Sequence, residues 1–254
     1  MLQQFIWKQK RILRGLYWSM TASGLPYDGD SSWWDKNLYA WGVSDRQTIA
    51  PNWSQLSSLY HYGSTEVLIL RHLLNHAVQT RGISVLDIGS GAGHWIKFWQ
   101  NLGAKSVDGL DVSSLSVKYL RSQFLHQGDV RIHHGPAKDV MEGLNQSFSV
   151  VNAIGVMFHI VDDDEWLDTI SAVAKSLKPG GLFVIGGHFG WLNKINVQID
   201  ANARINKRLR SKRHWISALR KAGFDTVDLY RNNAYLHIRG QLPENNILIA
   251  RKAG

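Results

Sequence analysis

Apolar positions along the chain follow two rhythms: short uninterrupted runs, and longer stretches in which apolar residues recur every three or four positions. The short runs predict strands, at residues 83–88, 106–112, 130–134, 148–158, 182–185, 226–230 and 246–251. The spaced stretches predict helices. They follow residue 94, cover 114–126 and 212–222, and include one that stops before Lys178-Pro179-Gly180-Gly181. Strands that alternate with such helices indicate an α/β fold with a doubly wound, mostly parallel sheet.

The first predicted strand ends in a loop with three alternating glycines, Gly89, Gly91 and Gly93. Glycine permits a tight turn from strand to helix and lets a ligand approach the backbone closely, at the strand ends where open parallel sheets bind ligands. A purely structural turn is the competing interpretation, and His94 stands where a dinucleotide fingerprint has its third glycine. Asp111 closes the second strand 22 residues after Gly89. A carboxylate there can accept two hydrogen bonds from a ribose diol.

The loop that begins at Asp87, the strand that ends at Asp111 and the Lys178-Pro179-Gly180-Gly181 turn together resemble the motifs of class I S-adenosylmethionine-dependent methyltransferases. The resemblance covers residues 65–254. It implies a Rossmann-like sheet of seven strands, of which the last runs antiparallel, and S-adenosyl-L-methionine as the cofactor. It also implies that Asp87 and the glycine loop hold the methionine part, with Asp111 on the ribose hydroxyls and Val112 against the adenine.

The cofactor-binding residues that the resemblance implies are Asp87, Gly89, Ser90, Gly91, Gly93, Asp111, Val112, Ala137 and Ile154. Two positions depart from the family pattern. The third strand is followed by Gly135-Pro136-Ala137, where the family commonly has an acidic residue that touches the adenine amino group. That hydrogen bond comes from the backbone or from Asp139, or is absent. The fourth strand begins Phe148-Ser149 rather than Phe-Asp.

Methyl transfer from a sulfonium is an in-line displacement, so the protein has to position the acceptor, exclude water and, for a hydroxyl or a protonated amine, remove a proton. Histidine suits the role of general base near neutral pH. The candidates are His159 after the fourth strand and His188 after the fifth, with His61 as a third. For each of them, simple packing or a cofactor contact is the competing interpretation.

Four consecutive acids, Asp162-Asp163-Asp164-Glu165, allow two interpretations. Hard oxygen ligands suit Mg²⁺, as in metal-dependent O-methyltransferases. A helix start is favoured, because Asp162 as N-cap and Glu165 three residues later match a capping box, and acids are stabilised at helix N-termini. No metal site is therefore predicted.

Enzymes that methylate exocyclic base amines usually carry an Asn/Asp-Pro-Pro-aromatic motif after the fourth strand. In the part of the chain where such a motif would stand, at the fourth strand, the sequence reads Asn152-Ala153-Ile154-Gly155. This argues against a nucleobase amine and favours a small-molecule or lipid-like acceptor with a hydroxyl, amine or carboxylate group.

Charge is distributed unevenly. The net charge is +9, yet residues 1–193 carry 16 basic and 16 acidic side chains, whereas residues 194–254 carry 13 and 4. Residues 187–211 are predicted to be a basic substrate-side insertion, with a helix that turns Ala201, Ile205 and Leu209 inward. The basic side chains are Arg204, Lys207, Arg208, Arg210, Lys212 and Arg213. They fit a solvated face, a site for an anionic acceptor group, or a contact with nucleic acid or a membrane surface.

The opposite end is rich in tryptophan, with six of the 11 tryptophans in the first 53 residues. We expect residues 1–64 to form an aromatic lid that buries an apolar acceptor and excludes water, with packing on the sheet domain as the alternative. The chain has no cysteine, which excludes disulfides, thiolate metal ligands and a catalytic thiol.

No apolar run reaches the ~20 residues of a membrane span, and Lys8, Lys10, Arg11 and Arg14 interrupt the place of a signal-peptide core. A cytoplasmic location is therefore expected.

The leading hypothesis is a methyltransferase with a small-molecule or lipid-like acceptor. An RNA-directed methyltransferase that uses the basic C-terminal quarter is the second. A non-catalytic cofactor-binding or membrane-surface module is the third. The oligomeric state stays open.

Overall fold

The computed structural model describes residues 31–49, 54–190, 192–193, 195–198, 205–230 and 246–254. Of the predicted N-terminal lid, residues 1–30 and 50–53 lie outside the described residues. Ala201 and Arg204 of the predicted basic helix lie outside them as well.

Nine strands are present in the described part of the chain, seven of which form one sheet. They are β1 (Ser84–Ile88), β2 (Ser106–Asp111), β3 (Val130–His134), β4 (Phe148–Ile154), β5 (Leu177–Gly187), β6 (Ile195–Gln198), β7 (Ile205–Leu209), β8 (Phe224–Tyr230) and β9 (Asn246–Lys252). The main sheet has the order β3-β2-β1-β4-β5-β9-β8, and β6 pairs with β7 in a separate hairpin.

Eight helices connect or precede these strands in the described residues. They are α1 (Ser31–Trp41), α2 (Asp45–Ile49), α3 (Gln55–Asn75), α4 (His94–Asn101), α5 (Ser114–Gln123), α6 (Ala137–Gly143), α7 (Asp163–Ser176) and α8 (Lys212–Lys221). Short side chains cap several of them: Ser54, Ser113, Asp162 and Ser211 each accept a backbone N–H of the first turn, which satisfies a donor that has no partner within the helix.

The sheet confirms the predicted architecture. Strands β1 to β5 pair in parallel, whereas β9 runs antiparallel to both β5 and β8. Successive strand residues point to opposite faces, and each face carries its own core. Leu86 and Ile88 of β1 pack with helices α6, α7 and α8, whereas Val85 packs with α3, α4 and α5. Helices cover both faces, as in a doubly wound sheet.

Two predictions about local structure are wrong. The region predicted as a basic helix contains the hairpin β6–β7, in which Ile205 and Leu209 are strand residues. The segment at 195–198 alternates apolar and polar residues, a period of two that favours a strand over the helical spacing. Strand β4 also ends at Ile154 rather than residue 158, because Gly155 adopts φ +82° and turns the chain. Among the described residues, none of the helices combines the length and the apolar character needed to cross a bilayer.

Candidate functional site

The glycine loop lies at the carboxyl end of β1, as predicted. Gly89, Gly91 and Gly93 all have positive φ (69°, 55° and 88°), in the region that residues with a Cβ rarely adopt. A Cβ at Gly91 would also come within 3.0 Å of Thr48 on α2. These positions therefore require glycine for their backbone conformation, and Gly91 also leaves no space for a side chain because α2 lies directly against it.

Asp111, the last residue of β2, holds this loop through its carboxylate. Its Oδ2 accepts the backbone N–H of Gly91 at 2.8 Å, and its Oδ1 accepts that of Ser113 at 2.8 Å. Burial raises the pKa of Asp111, while these two hydrogen bonds act in the opposite direction. Each carboxylate oxygen has a second lone pair, so the side chain can bind a further donor without losing the loop.

Asp87, at the end of β1, is fully buried and only half satisfied. Asn152, its register partner on β4, donates from Nδ2 to Oδ1 at 2.7 Å. Its Oδ2 accepts no hydrogen bond from any described residue, although the atom is buried. Burial raises the pKa of Asp87 to about 7, and the hydrogen bond from Asn152 offsets only part of this effect. A buried carboxylate oxygen without a donor is costly, and a cationic ligand group would satisfy it.

The other cofactor residues implied by the resemblance lie around the same edge. Ser90 is buried, and its hydroxyl donates to the backbone oxygen of Asp87 at 2.9 Å. Val112 is half-buried after β2, Ala137 opens α6, and Ile154 ends β4. They form a continuous arc along the ends of β1, β2, β3 and β4.

Helix α1 is attached to this edge by Asp35. The carboxylate accepts hydrogen bonds from the hydroxyls of Ser113 (2.6 Å) and Ser114 (2.7 Å) and a longer one from the backbone N–H of Leu115 (3.3 Å). Burial alone would raise the pKa of Asp35, but these hydrogen bonds outweigh it and hold the pKa below its usual value. An acid from α1 thus sits at the N-terminus of α5, where the helix dipole favours negative charge.

A second group of contacts ties α2 and α3 to the start of α4. The imidazole of His94 stacks on Tyr62 with ring centroids 3.7 Å apart, and its Nε2 lies 2.7 Å from Oε1 of Glu66. Tyr62 in turn donates its hydroxyl to the backbone oxygen of Asp45 at 3.2 Å. The histidine that replaces a third fingerprint glycine therefore joins the N-terminal helices to the glycine loop.

Two of the three candidate bases, His159 and His188, lie together at the ends of β4 and β5, and His61 lies on α3. The rings of His159 and His188 lie 4.5 Å and 4.9 Å from that of Phe158. His61 lies close enough to His188 to be affected by its charge. Burial, followed by the charges of His188 and His94, lowers the pKa of His61 to about 4. Trp34 of α1 packs edge-on against His159 at 5.1 Å, so α1 contacts this region as well. We call the edge formed by the ends of β1, β2, β4 and β5 the cleft.

Two of the basic residues after β5, Arg208 and Arg210, bind another loop of the chain. Arg210 is only 1 % exposed and binds Oδ1 of Asp163 through both Nε (3.1 Å) and Nη2 (3.0 Å). It also donates to the backbone oxygen of Ile160 at 2.9 Å and lies 4.4 Å from the centre of the Trp166 ring. Arg208 adds an ion pair with Oδ2 of Asp163 at 3.2 Å. For Arg210, the interpretation as a solvated or nucleic-acid-binding surface is wrong, because it is buried and binds another loop of the chain.

The acidic run at 162–165 begins helix α7. Asp162 is the N-cap, and its Oδ1 accepts the backbone N–H groups of Asp164 and Glu165 at 2.9 Å each. Asp163 forms ion pairs with two arginines. The predicted helix start is confirmed.

Sequence reasoning missed Asn152, Asp35, Glu66 and the Asp163–Arg210 pair. For Asn152 a signal was present, since an amide inside an apolar strand needs a buried partner. The partners of Asp35 and Arg210 lie 78 and 47 residues away, and no local pattern indicated them.

Comparison with known proteins agrees with this geometry. Residues 85–181 match the family model of a methyltransferase domain. The ribosomal protein L11 methyltransferase of Listeria monocytogenes serotype 1/2a (strain 10403S) is 23 % identical over 218 residues, which cover 77 % of this chain and 66 % of that protein. The chain therefore spans just under two thirds of that relative. The tRNA U34 carboxymethyltransferase of Pseudoalteromonas translucida (strain TAC 125) is 31 % identical over 121 residues, 44 % of this chain and 34 % of that protein.

Among solved structures, magnesium protoporphyrin IX methyltransferase from Synechocystis PCC 6803, solved with bound SAH, has a TM-score of 0.62 at 14 % identity. The match covers 88 % of this chain and 98 % of that one. At such low identity, this likeness establishes the fold.

Proposed function

We propose that this chain, which belongs to the class I S-adenosylmethionine-dependent methyltransferases, transfers the methyl group of that cofactor to a small-molecule acceptor bound beneath its N-terminal helices. The observation that carries the proposal is the position of α1 and α2. Asp35 fastens α1 beside Asp111, Trp34 covers His159, and Thr48 lies against Gly91. Both halves of the cleft are thus covered by one N-terminal segment. We accordingly propose that residues 1–64 act as a lid on a methyltransferase domain formed by residues 65–254.

The residues at the ends of β1 and β2 fit the cofactor. The unsatisfied Oδ2 of Asp87 suits the ammonium of its methionine part, and the spare lone pairs of Asp111 suit the ribose hydroxyls. Ser90 and the three glycines place backbone close to both carboxylates. Val112 and Ala137, which follow β2 and β3, lie on the side proposed for the adenine, and Ile154 ends β4 on the other side of β1. When bound, the cofactor supplies the activated methyl group and the leaving sulfide.

The ends of β4 and β5 fit the acceptor. His159 and His188 flank Phe158, and either imidazole can take a proton from a hydroxyl or an ammonium acceptor. We favour His159, because its contact with Trp34 links proton removal to closure of the lid and so to exclusion of water. The low pKa of His61, about 4, makes it a weak base and assigns it a packing role.

The acceptor we propose carries an anionic or electron-rich group. Lys207, a residue of β7, places its ammonium 5.1 Å from the centre of the Phe158 ring, and both histidine candidates also contact this ring. An apolar body with one negative group fits an aromatic wall beside a single lysine. The ion pairs of Arg208 and Arg210 with Asp163 favour a small anionic acceptor over RNA, because they occupy two of the basic side chains that an RNA would contact.

Calorimetric titration with S-adenosylhomocysteine tests the cofactor site. We expect one site per chain in the wild type, and a loss of affinity of at least ~10-fold in Asp111→Ala, the effect of one charge-assisted hydrogen bond. Asp225→Ala removes an exposed carboxylate on β8 and serves as the matched control. Circular dichroism of each variant separates loss of binding from loss of fold. A wild-type chain that binds no cofactor contradicts the proposal.

The acceptor class is tested by release of S-adenosylhomocysteine in the presence of small aromatic and aliphatic hydroxy acids, amines and carboxylates, set against bulk tRNA and ribosomal protein. We expect turnover with small molecules only, and a lower kcat without loss of cofactor affinity in His159→Ala. Turnover confined to RNA or protein, with binding to RNA that weakens steeply as salt rises, would favour the RNA-directed alternative.

A further inference from the structure

Two histidines and an aspartate meet at the far end of α3, on the edge strand of the sheet. His72 and His76 are four residues apart on one face of the helix and its C-cap, and Asp228 faces them from β8. Tyr62, which supports the glycine loop, lies ten residues before His72, or ~15 Å along the helix axis. The cluster is therefore separate from the cleft and has no part in the function proposed above.

The distances within this cluster match those between ligands of one small metal ion. Oδ2 of Asp228 lies 3.5 Å from Nδ1 of His72 and 3.3 Å from Nε2 of His76. One ligand atom from each of the three residues falls within 4.8 Å of the others. Metal–ligand bonds of ~2.0–2.1 Å in a tetrahedron place neighbouring ligand atoms ~3.3 Å apart.

The hydrogen bonding of the cluster provides an independent observation. Oδ2 of Asp228 is buried, and although two imidazole nitrogens lie within 3.5 Å of it, it accepts no hydrogen bond from the described residues. The three atoms are close without being aimed at one another as donor and acceptor. His72 is 97 % buried, since its side chain is 3 % exposed, so this arrangement is not an accident of a solvated surface.

We propose that His72, His76 and Asp228 form a binding site for a divalent transition-metal ion of the zinc type. Two imidazoles and one carboxylate are ligands that zinc accepts, with a fourth position left for water. The Tyr230 hydroxyl lies 2.9 Å from Nδ1 of His72, and ion binding replaces this hydrogen bond.

The position of the cluster indicates what an ion would do there. It would join α3 to the edge strand β8, and α3 also carries Tyr62 and Glu66 against His94.

The test is a titration of the full, untagged chain with Co²⁺ and Zn²⁺ after treatment with a chelator. We expect one equivalent of Co²⁺ to produce the visible absorption of a tetrahedral site, Zn²⁺ to displace it, and Zn²⁺ to raise the thermal midpoint. His76→Ala and Asp228→Asn should each weaken binding by at least ~10-fold and abolish the thermal shift. Both side chains are partly exposed, so these variants are expected to fold.

His126→Ala is the matched control, because it removes an exposed histidine outside the cluster. It should bind Co²⁺ as the wild type does. A wild-type chain that shows no stoichiometric binding overturns the proposal, as does binding that survives in both His76→Ala and Asp228→Asn. None of these readouts involves the cofactor or methyl transfer, so the outcome is independent of the function proposed above.

Discussion

At the end of β2, the carboxylate of Asp111 binds backbone N–H groups of the neighbouring loop. At the ends of β4 and β5, arginines bind a loop that is distant from them in the chain. We call the first region, with Asp87, Asp111 and the glycine loop, the cofactor half. The second region, with Phe158, His159 and His188, is the acceptor half. Asp111 reaches a residue 20 positions away at most, whereas Arg210 reaches Asp163 over 47 positions.

The two halves of the cleft thus differ in the kind of contact that fixes their geometry. In the cofactor half, Asp111 binds backbone N–H groups, so the geometry of the loop depends on glycine spacing and on this carboxylate. Asp87 is the exception, since its donor is the side chain of Asn152. The acceptor half uses side-chain pairs whose members are far apart in the chain. Loops supported in this second way can change with the substrate while the scaffold stays the same.

The largest expected effect comes from removing the support of the acceptor half. Arg210→Ala removes two hydrogen bonds to the carboxylate of Asp163 and one to the backbone oxygen of Ile160. Breaking a buried ion pair by removing one partner costs about 3–5 kcal/mol. We expect a loss of this size in the free energy of unfolding, measured by urea denaturation. Arg213→Ala, an exposed neighbour, should change it by less than about 0.5 kcal/mol; an equal loss in both variants would contradict a specific role for Arg210.

A smaller effect is expected in the cofactor half, where protonation of Asp87 competes with the cofactor. Burial raises the pKa of Asp87 to about 7, so the carboxyl binds a proton below that pH and must release it to pair with an ammonium. We expect affinity for S-adenosylhomocysteine to fall up to ~10-fold per pH unit below pH 7 and to level off above it. Calorimetry across this range should show a flat profile in Asp87→Asn. A flat profile in the wild type would show that Asp87 does not titrate with binding.

The same residue affects folding with the opposite sign. The folded chain retains the Asp87 proton up to a pKa of about 7, whereas the unfolded chain loses it near 3.8. Wild-type stability relative to Asp87→Asn should therefore decline as pH rises between these two values. Urea denaturation at the two ends of this range measures the change. This result would distinguish a cofactor-binding carboxylate kept at a cost to stability from one that is merely structural.

The smallest effect is expected where α1 joins the N-terminus of α5. Asp35→Ala removes the acceptor for Ser113, Ser114 and Leu115, a loss comparable to that of a helix cap, about 1 kcal/mol. We expect faster hydrogen exchange in α1 and little change in the sheet. Lys36→Ala, on the exposed side of the same helix, is the control. Unchanged exchange in Asp35→Ala would show that α1 is held by its aromatic contacts.

Several features of the site were predictable because each depends on neighbours in the chain. The turn at Gly89–Gly93, the carboxylate at the end of β2 and the N-cap at Asp162 all follow from local spacing. The hairpin at β6–β7 was predicted as a helix, since its apolar residues fit both periods and strand pairing decided between them. The contact of both His159 and His188 with Phe158 could not be predicted, because the sequence shows these histidines only as residues of two separate loops.

Local spacing and residue chemistry in the chain were enough for the α/β class, the family resemblance and the cofactor loop, because strands, glycine turns and helix caps are specified over a few residues. The tertiary structure decided that part of the positive charge after β5 is paired with Asp163 inside the molecule. It also decided that Asp35 binds α1 to Ser113, and that His72 and His76 lie beside Asp228. Each of these pairs joins residues from different helices, strands or loops. Whether a charged side chain faces water, a ligand or another charge depends on those distant neighbours and on burial, which no local pattern contains.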